Sequence, residues 1–297
     1  MDVFRTPDQR FAHLPDFPWE PRYATVEGLR VGYIDQGEGP AVLLMHGEPS
    51  WSFLYRKMIP PLLEAGMRVL APDLVGFGRS DKPTDPEAYT YQSAVDWMSG
   101  WLDATGVADI TFFGQDWGGL IGLRLVAGDP DRFGAVAVAN TGLPTGDHAM
   151  SDAFTAWQTF ARTAPSFDVG RVVQNGTVTD LPAGVVAAYD APFPTEESKV
   201  AARVFPGLVP TTPDDPASRP NRQAWSVLSR WDKPFLCLFS DSDPITAGGE
   251  RAFLRRIPGT EGQPHQTIEG AGHFLQEDAG EDFGTVLARW ITVCRHG

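Results

Sequence analysis

Apolar residues in this chain gather into short unbroken runs set between stretches of helical period. Residues 41–45, 68–71, 110–113, 133–139 and 234–239 read as strands. A continuous apolar run bounded by turn residues fits a strand buried on both faces of a parallel sheet. Helical stretches over 51–64 and 91–105, and one opening at Leu120, alternate with them. Two shorter strands, 23–26 and 29–34, join at Glu27-Gly28 like a hairpin, behind an arm broken by Pro7, Pro15, Pro18 and Pro21. The alternation predicts an α/β fold with a mainly parallel central sheet flanked by helices.

That alternation lapses after Asn140. Short helical pieces at 151–164, 169–175, 183–189 and 196–205 replace it, and a Thr/Asp/Pro-rich segment with Pro210, Pro213, Pro216 and Pro220 reads as linker. It resumes with a helix over 223–230, strands at 234–239 and 263–269, and a last helix over 278–293. The expected organisation is one core, residues 1–140 and 226–297, interrupted by a helical cap over 141–225.

Composition narrows the class. The chain has 297 residues, 42% of them hydrophobic, with nine tryptophans, as expected of an ordered globular protein of one or two domains. A net charge of −14 disfavours nucleic acid and anionic membranes as partners, since both need basic patches. Two cysteines, Cys237 and Cys294, build no disulfide framework and point to free thiols in a reducing compartment. The opening residues lack a basic start followed by an apolar run, and no stretch approaches the roughly 18 apolar residues of a membrane span. The expectation is a cytoplasmic protein, a monomer by default.

The chemistry centres on Phe112-Phe113-Gly114-Gln115-Asp116-Trp117-Gly118-Gly119. A strand, a tight glycine turn and a helix make the layout of the nucleophile elbow of α/β-hydrolases, with Asp116 where the serine of Gly-x-Ser-x-Gly would stand. A carboxylate there can displace a leaving group from saturated carbon and form an alkyl ester. In open parallel sheets, ligands bind beyond the C-terminal strand ends. Those ends carry Asp116, His46-Gly47-Glu48, Asp241-Ser242-Asp243 and Gly270-Ala271-Gly272-His273. Nucleophile, acid and histidine then follow in hydrolase order. Asp243, fixed by Pro244, is preferred to Asp241 as the acid that orients His273, and Asn140 cannot carry that charge. His46 is read as shaping the loop that offers a backbone N–H. No His/Cys cluster suggests a metal, and no cofactor is expected.

Taken together, His46-Gly47-Glu48-Pro49-Ser50-Trp51, Gly76-Phe77-Gly78-Arg79-Ser80-Asp81-Lys82-Pro83, Gln115-Asp116-Trp117-Gly118-Gly119 and Gly272-His273-Phe274 resemble the haloalkane dehalogenases. The resemblance extends to the arm at Arg5-Thr6-Pro7-Asp8 and to the cap segments Phe154-Thr155-Ala156-Trp157 and Tyr189-Asp190-Ala191-Pro192-Phe193-Pro194. It implies Asp116 as nucleophile, His273 as general base and Asp243 as its partner. It also implies an oxyanion hole from the backbone N–H groups of Glu48 and Trp117, and a halide held by the indoles of Trp117 and Trp157. Phe154, Phe193, Phe205 and Val209 would wall the pocket, with core packing the competing role for each, as it is for Trp157. The substrate would be a small halogenated hydrocarbon, and halide a product.

Other readings fit less well. Epoxide hydrolases need two cap tyrosines, and residues 141–225 hold only Tyr189. Fluoroacetate dehalogenases follow the aspartate with arginine, where this chain has Trp117. Asp116 itself disfavours a serine esterase, and the full set of Asp116, Asp243 and His273 disfavours an inactive ligand-binding relative.

Overall fold

The computed structural model describes residues 2–296. Eight strands form one sheet: β1 (Arg22–Val26), β2 (Leu29–Gln36), β3 (Ala41–Met45), β4 (Arg68–Pro72), β5 (Ile110–Gln115), β6 (Phe133–Ala139), β7 (Phe235–Ser240) and β8 (Gln266–Ile268). Their spatial order is β8-β7-β6-β5-β3-β4-β2-β1. β1 and β2 pair antiparallel, as do β2 and β4; every other neighbouring pair is parallel. The apolar runs explain this. Every residue of β3, β5 and β7 is buried, as it must be in a sheet covered on both faces. The Glu27-Gly28 turn is a true hairpin, with both residues at positive φ.

Helices α1 (Ile59–Glu64), α2 (Tyr91–Thr105) and α3 (Trp117–Gly128) lie in the first half. A Thr90/Ser93 capping box opens α2, and Gly106, at φ 63°, closes it. After β6 come α4 (Asp152–Thr163), α5 (Val169–Asn175), α6 (Ala183–Asp190) and α7 (Val200–Val204), then α8 (Ser218–Leu228), α9 (Glu250–Arg256), α10 (Leu275–Asp278) and α11 (Gly280–His296). α2 packs on α3, α3 on α8, and α1 on α11.

Proline accounts for most departures from the expected elements. The helix expected over 51–64 is a 3-10 turn, Ser52–Tyr55, followed by α1, which restarts with Pro60 and Pro61 in its first turn. Only there does a missing N–H cost nothing. α8 begins at Ser218, inside the segment read as linker, because Pro220 also falls in a first turn. Pro206 likewise turns the end of the 196–205 stretch into a 3-10 segment, Phe205–Leu208. The strand expected over 263–269 pairs only at Gln266–Ile268, on the exposed edge. Among the described residues, no helix is long and apolar enough to cross a membrane.

Candidate active site

Asp116 stands at the crest of the turn from β5 into α3, with φ 51° and ψ −127°. Such a conformation costs a non-glycine residue about 1–3 kcal/mol and lasts only when its surroundings over-determine it. Here they do. Its N–H donates to Asn140 O at 3.1 Å, and Thr141 Oγ1 donates to Asp116 O at 2.7 Å. Gly118 lets α3 start close under β3, since a Cβ there would meet Met45 O at 1.9 Å.

The loop after β3 closes over the carboxylate. Glu48 N–H donates to Asp116 Oδ1 at 2.8 Å. Gly47 permits that approach; a Cβ on it would lie 2.2 Å from the same oxygen. His46 ties the loop down. Its Nε2 accepts from Leu74 N–H at 2.9 Å, so Nδ1 carries the proton and donates to Gly47 O at 2.9 Å. Burial lowers its pKa and keeps it neutral.

Asp243, on the loop after β7, accepts from His273 Nδ1 at 2.9 Å. Ile245 N–H donates to its other oxygen at 2.9 Å, and the Thr246 hydroxyl donates to Oδ2 as well. Burial alone would raise this carboxyl, but the His273 charge and these hydrogen bonds hold it at about 2. Asp241, the other acid weighed, is exposed and accepts from Gly270 and Ala271 N–H, shaping the loop that carries His273.

His273 is buried, with Nε2 3.5 Å from Asp116 Oδ2. Burial favours its neutral form. The charge of Asp243 and the hydrogen bond and charge of Asp116 outweigh that and raise its pKa to about 10. The Gln115 amide, which directs Nε2 at His273 Nε2 (3.1 Å) and at its carbonyl O (3.2 Å), pulls the other way and favours a neutral ring. While Asp116 is a carboxylate, the imidazolium is preferred. Converting Asp116 to an ester removes one of the two anions and moves His273 towards the free base.

A cavity of about 1000 Å³ opens over these groups and runs from Asp116 outward to the exposed His148 and Arg255. Glu48, Trp117, Phe154, Trp157 and Val209 line it. Trp117 is wedged against Phe205 (4.7 Å between centroids) and Tyr91 (5.0 Å), and among the described residues its indole N–H has no hydrogen-bond partner. Its backbone N–H makes no bond to the Asp116 carboxylate. Trp157, on α4, stacks on Phe160, and its indole lies beside the Glu48 carboxyl without completing a hydrogen bond. Two of the expected walls do not face the cavity. Phe205 is fully buried behind Trp117, and Phe193 packs edge-on to Phe77 at 6.3 Å, its ring 5.9 Å from Lys82 Nζ. Both fill the contact between the helices after β6 and the loops of the first half, a role their apolar character serves equally well.

Several working residues escaped the sequence reading. Asn140 donates to Ser240 Oγ, Gly272 O and His273 O and accepts from Ser240 N–H, so it pins the histidine loop to β7. Gln115, Thr141 and Thr246 act in the same way on His273, Asp116 and Asp243. Only the place of Asn140, Gln115 and Thr141 at strand ends could have marked them; Thr246, on the loop after β7, carried no such signal.

A carboxylate on a strained strand–helix turn, an acid–histidine pair from the last two strand loops and a helical segment over the strand ends define an α/β-hydrolase. The model of the alpha/beta hydrolase fold matches residues 40–280. The chain belongs, within that fold, to the haloalkane dehalogenases. It is similar to the haloalkane dehalogenase of Psychrobacter cryohalolentis, 57% identical over 298 residues that cover 98% of each chain. With that of Mycolicibacterium paratuberculosis it shares 50% identity, again covering 98% of each chain. Among solved structures it resembles the tetrameric haloalkane dehalogenase DpaA from Paraglaciecola agarilytica NO2. The TM-score is 0.89 at 34% identity, with 97% of each chain covered.

Proposed function

We propose that this enzyme hydrolyses short chlorinated or brominated alkanes through an ester on Asp116. One observation carries the reading: the Asp116 carboxylate, gripped by Glu48 N–H at 2.8 Å and 3.5 Å from His273 Nε2, faces a cavity lined by two indoles. The free oxygen attacks the carbon that bears the halogen. The carbon–halogen bond breaks with its electron pair on the halide, and Asp116 becomes an alkyl ester. Negative charge builds on the leaving atom, and the N–H groups of Trp117 and Trp157 stabilise it without a full positive charge that would slow release.

Hydrolysis follows. With Asp116 esterified, His273 takes a proton from water, and the resulting hydroxide adds to the ester carbonyl. The oxyanion forms on the oxygen already bonded by Glu48 N–H, with the Trp117 backbone N–H as second donor. Asp243 supports the imidazolium. Collapse returns the Asp116 carboxylate, the alcohol and one proton.

The test is release of bromide and protons from 1,2-dibromoethane, with Asp116→Ala as control. Silence across a panel of small haloalkanes, or undiminished release by Asp116→Ala, overturns the reading. A His273→Phe variant should stall as an alkyl-enzyme, heavier by the alkyl group in intact mass.

Residues 141 to about 217 form the cap in this reading; α8 crosses the expected boundary at 225, but it packs on α3 and belongs with the core. We place the enzyme in the cytoplasm, in keeping with its free cysteines, and take it as a monomer, which light scattering tests directly.

A further inference from the structure

The Glu48 side chain has no part in the chemistry above, which uses only its backbone. Yet it is one of the least comfortable groups in the molecule. It is 3% exposed, and its Oε1 is buried with no hydrogen-bond partner among the described residues. It lines the same cavity as Asp116, His273 and both indoles. No lysine or arginine pairs with it among the described residues.

A carboxylate anion in that place would be a second buried charge beside the nucleophile, and it would repel the halide as it forms. An unpaired buried charge is not sustained; the group neutralises instead. The neutral acid suits the same surroundings. Its carbonyl oxygen can accept from the Trp157 indole until a halide takes that N–H, and its hydroxyl is a free donor. Burial raises the Glu48 pKa well above the carboxylate range, and the Asp116 charge adds to this; the His273 charge and the Trp157 N–H act in the opposite sense.

We propose that the Glu48 side chain is a halide-binding group, its carboxyl O–H acting as a third donor to the departing ion beside the indoles of Trp117 and Trp157. The inference rests on the reading of Asp116 as the nucleophile that expels halide. It makes halide retention sensitive to alkali, since the ionised side chain loses the donor and gains a repulsive charge. No proton is consumed in turnover, because the acid only hydrogen-bonds.

The experiment measures bromide affinity by tryptophan quenching across alkaline pH in the wild type, Glu48→Gln, Glu48→Leu and Trp117→Phe. Thermal unfolding of each variant checks that it is folded. The wild type should lose affinity as pH rises. Glu48→Gln, which donates from its amide at every pH, should stay within a few-fold of the wild type at neutral pH and fall less in alkali, keeping only the part that follows deprotonation of His273 near pH 10. Glu48→Leu should bind bromide about 10- to 100-fold more weakly, the range for one hydrogen bond to a charged group. Infrared spectra should show a protonated-acid carbonyl band that disappears in Glu48→Gln. Bromide affinity of Glu48→Leu within threefold of the wild type, or an alkaline fall in Glu48→Gln as large as that of the wild type, overturns the proposal. If either occurs while Trp117→Phe has lost affinity, the halide site stands and only the Glu48 role falls. A wild type that neither binds bromide nor releases it from any haloalkane removes the parent reading as well.

Discussion

Replacing Trp117 with phenylalanine separates chemistry from packing. The indole N–H has no partner among the described residues, so its loss breaks no hydrogen bond there. The ring is 2% exposed and held between Phe205 and Tyr91, and phenylalanine keeps most of those contacts. The shortened ring leaves a gap worth about 1–2 kcal/mol of stability by the scale of large-to-small core changes. A domain with roughly 5–15 kcal/mol in hand stays folded at 25 °C. The transition state fares worse. One donor aimed at developing charge is worth about 3 kcal/mol, or roughly a hundredfold in rate. The backbone N–H of residue 117 is untouched, so hydrolysis of a preformed ester should hardly change. Single-turnover kinetics with 1,2-dibromoethane should therefore show a hundredfold slower bromide burst, with melting lowered by only a few degrees. Carbon–bromine cleavage within threefold of the wild type, in a folded variant, would refute the reasoning.

Other perturbations test the frame around it. Asp116→Asn deletes an anion beside His273, so the histidine should titrate below the value near 10 of the resting enzyme, as read by NMR. The stability that the raised His273 pKa contributes is full below about pH 6.5 and lost as pH rises through about 10; the difference between wild-type and Asp116→Asn unfolding curves should shrink across that window. Gly47→Ala forces a methyl to within 2.2 Å of Asp116 Oδ1, and a displacement of about 1 Å should cost roughly a hundredfold in kcat/KM, with stability much less affected. Glu277 is buried between Arg56 and the Tyr189 hydroxyl, joining α6 to the segment before α1. Glu277→Ala strands the Arg56 charge and should cost about 3–5 kcal/mol in denaturant unfolding. Tyr189→Phe, which keeps the ion pair, should cost far less.

Much of this protein was open to a reader of the residues alone. Apolar runs such as Ala41–Met45 and Phe133–Ala139 announced strands buried on both faces, because no other structure so readily buries every residue of a short segment. The glycine turn around Asp116 announced a strand–helix elbow, since backbone that close tolerates no Cβ. Local rules therefore reached the fold class, the order of elements and the turn that presents Asp116. They failed at Pro60, Pro206 and Pro220, where proline's place within a helical turn decides whether it ends a helix or begins one. They failed too at Phe193 and Phe205, whose apolar character suits a pocket wall and a packed interface alike. What only tertiary structure decided was who faces whom. Asp243 reaches His273 and Asp241 does not, Asn140 trades a charge it lacks for the bonds that pin the histidine loop, and Glu48 brings a buried carboxyl beside Asp116. Those roles depend on strands far apart in the chain ending side by side, and on burial that changes the protonation each group prefers. Neither distance nor dielectric is written in the order of residues; both arise only when the sheet closes and water leaves.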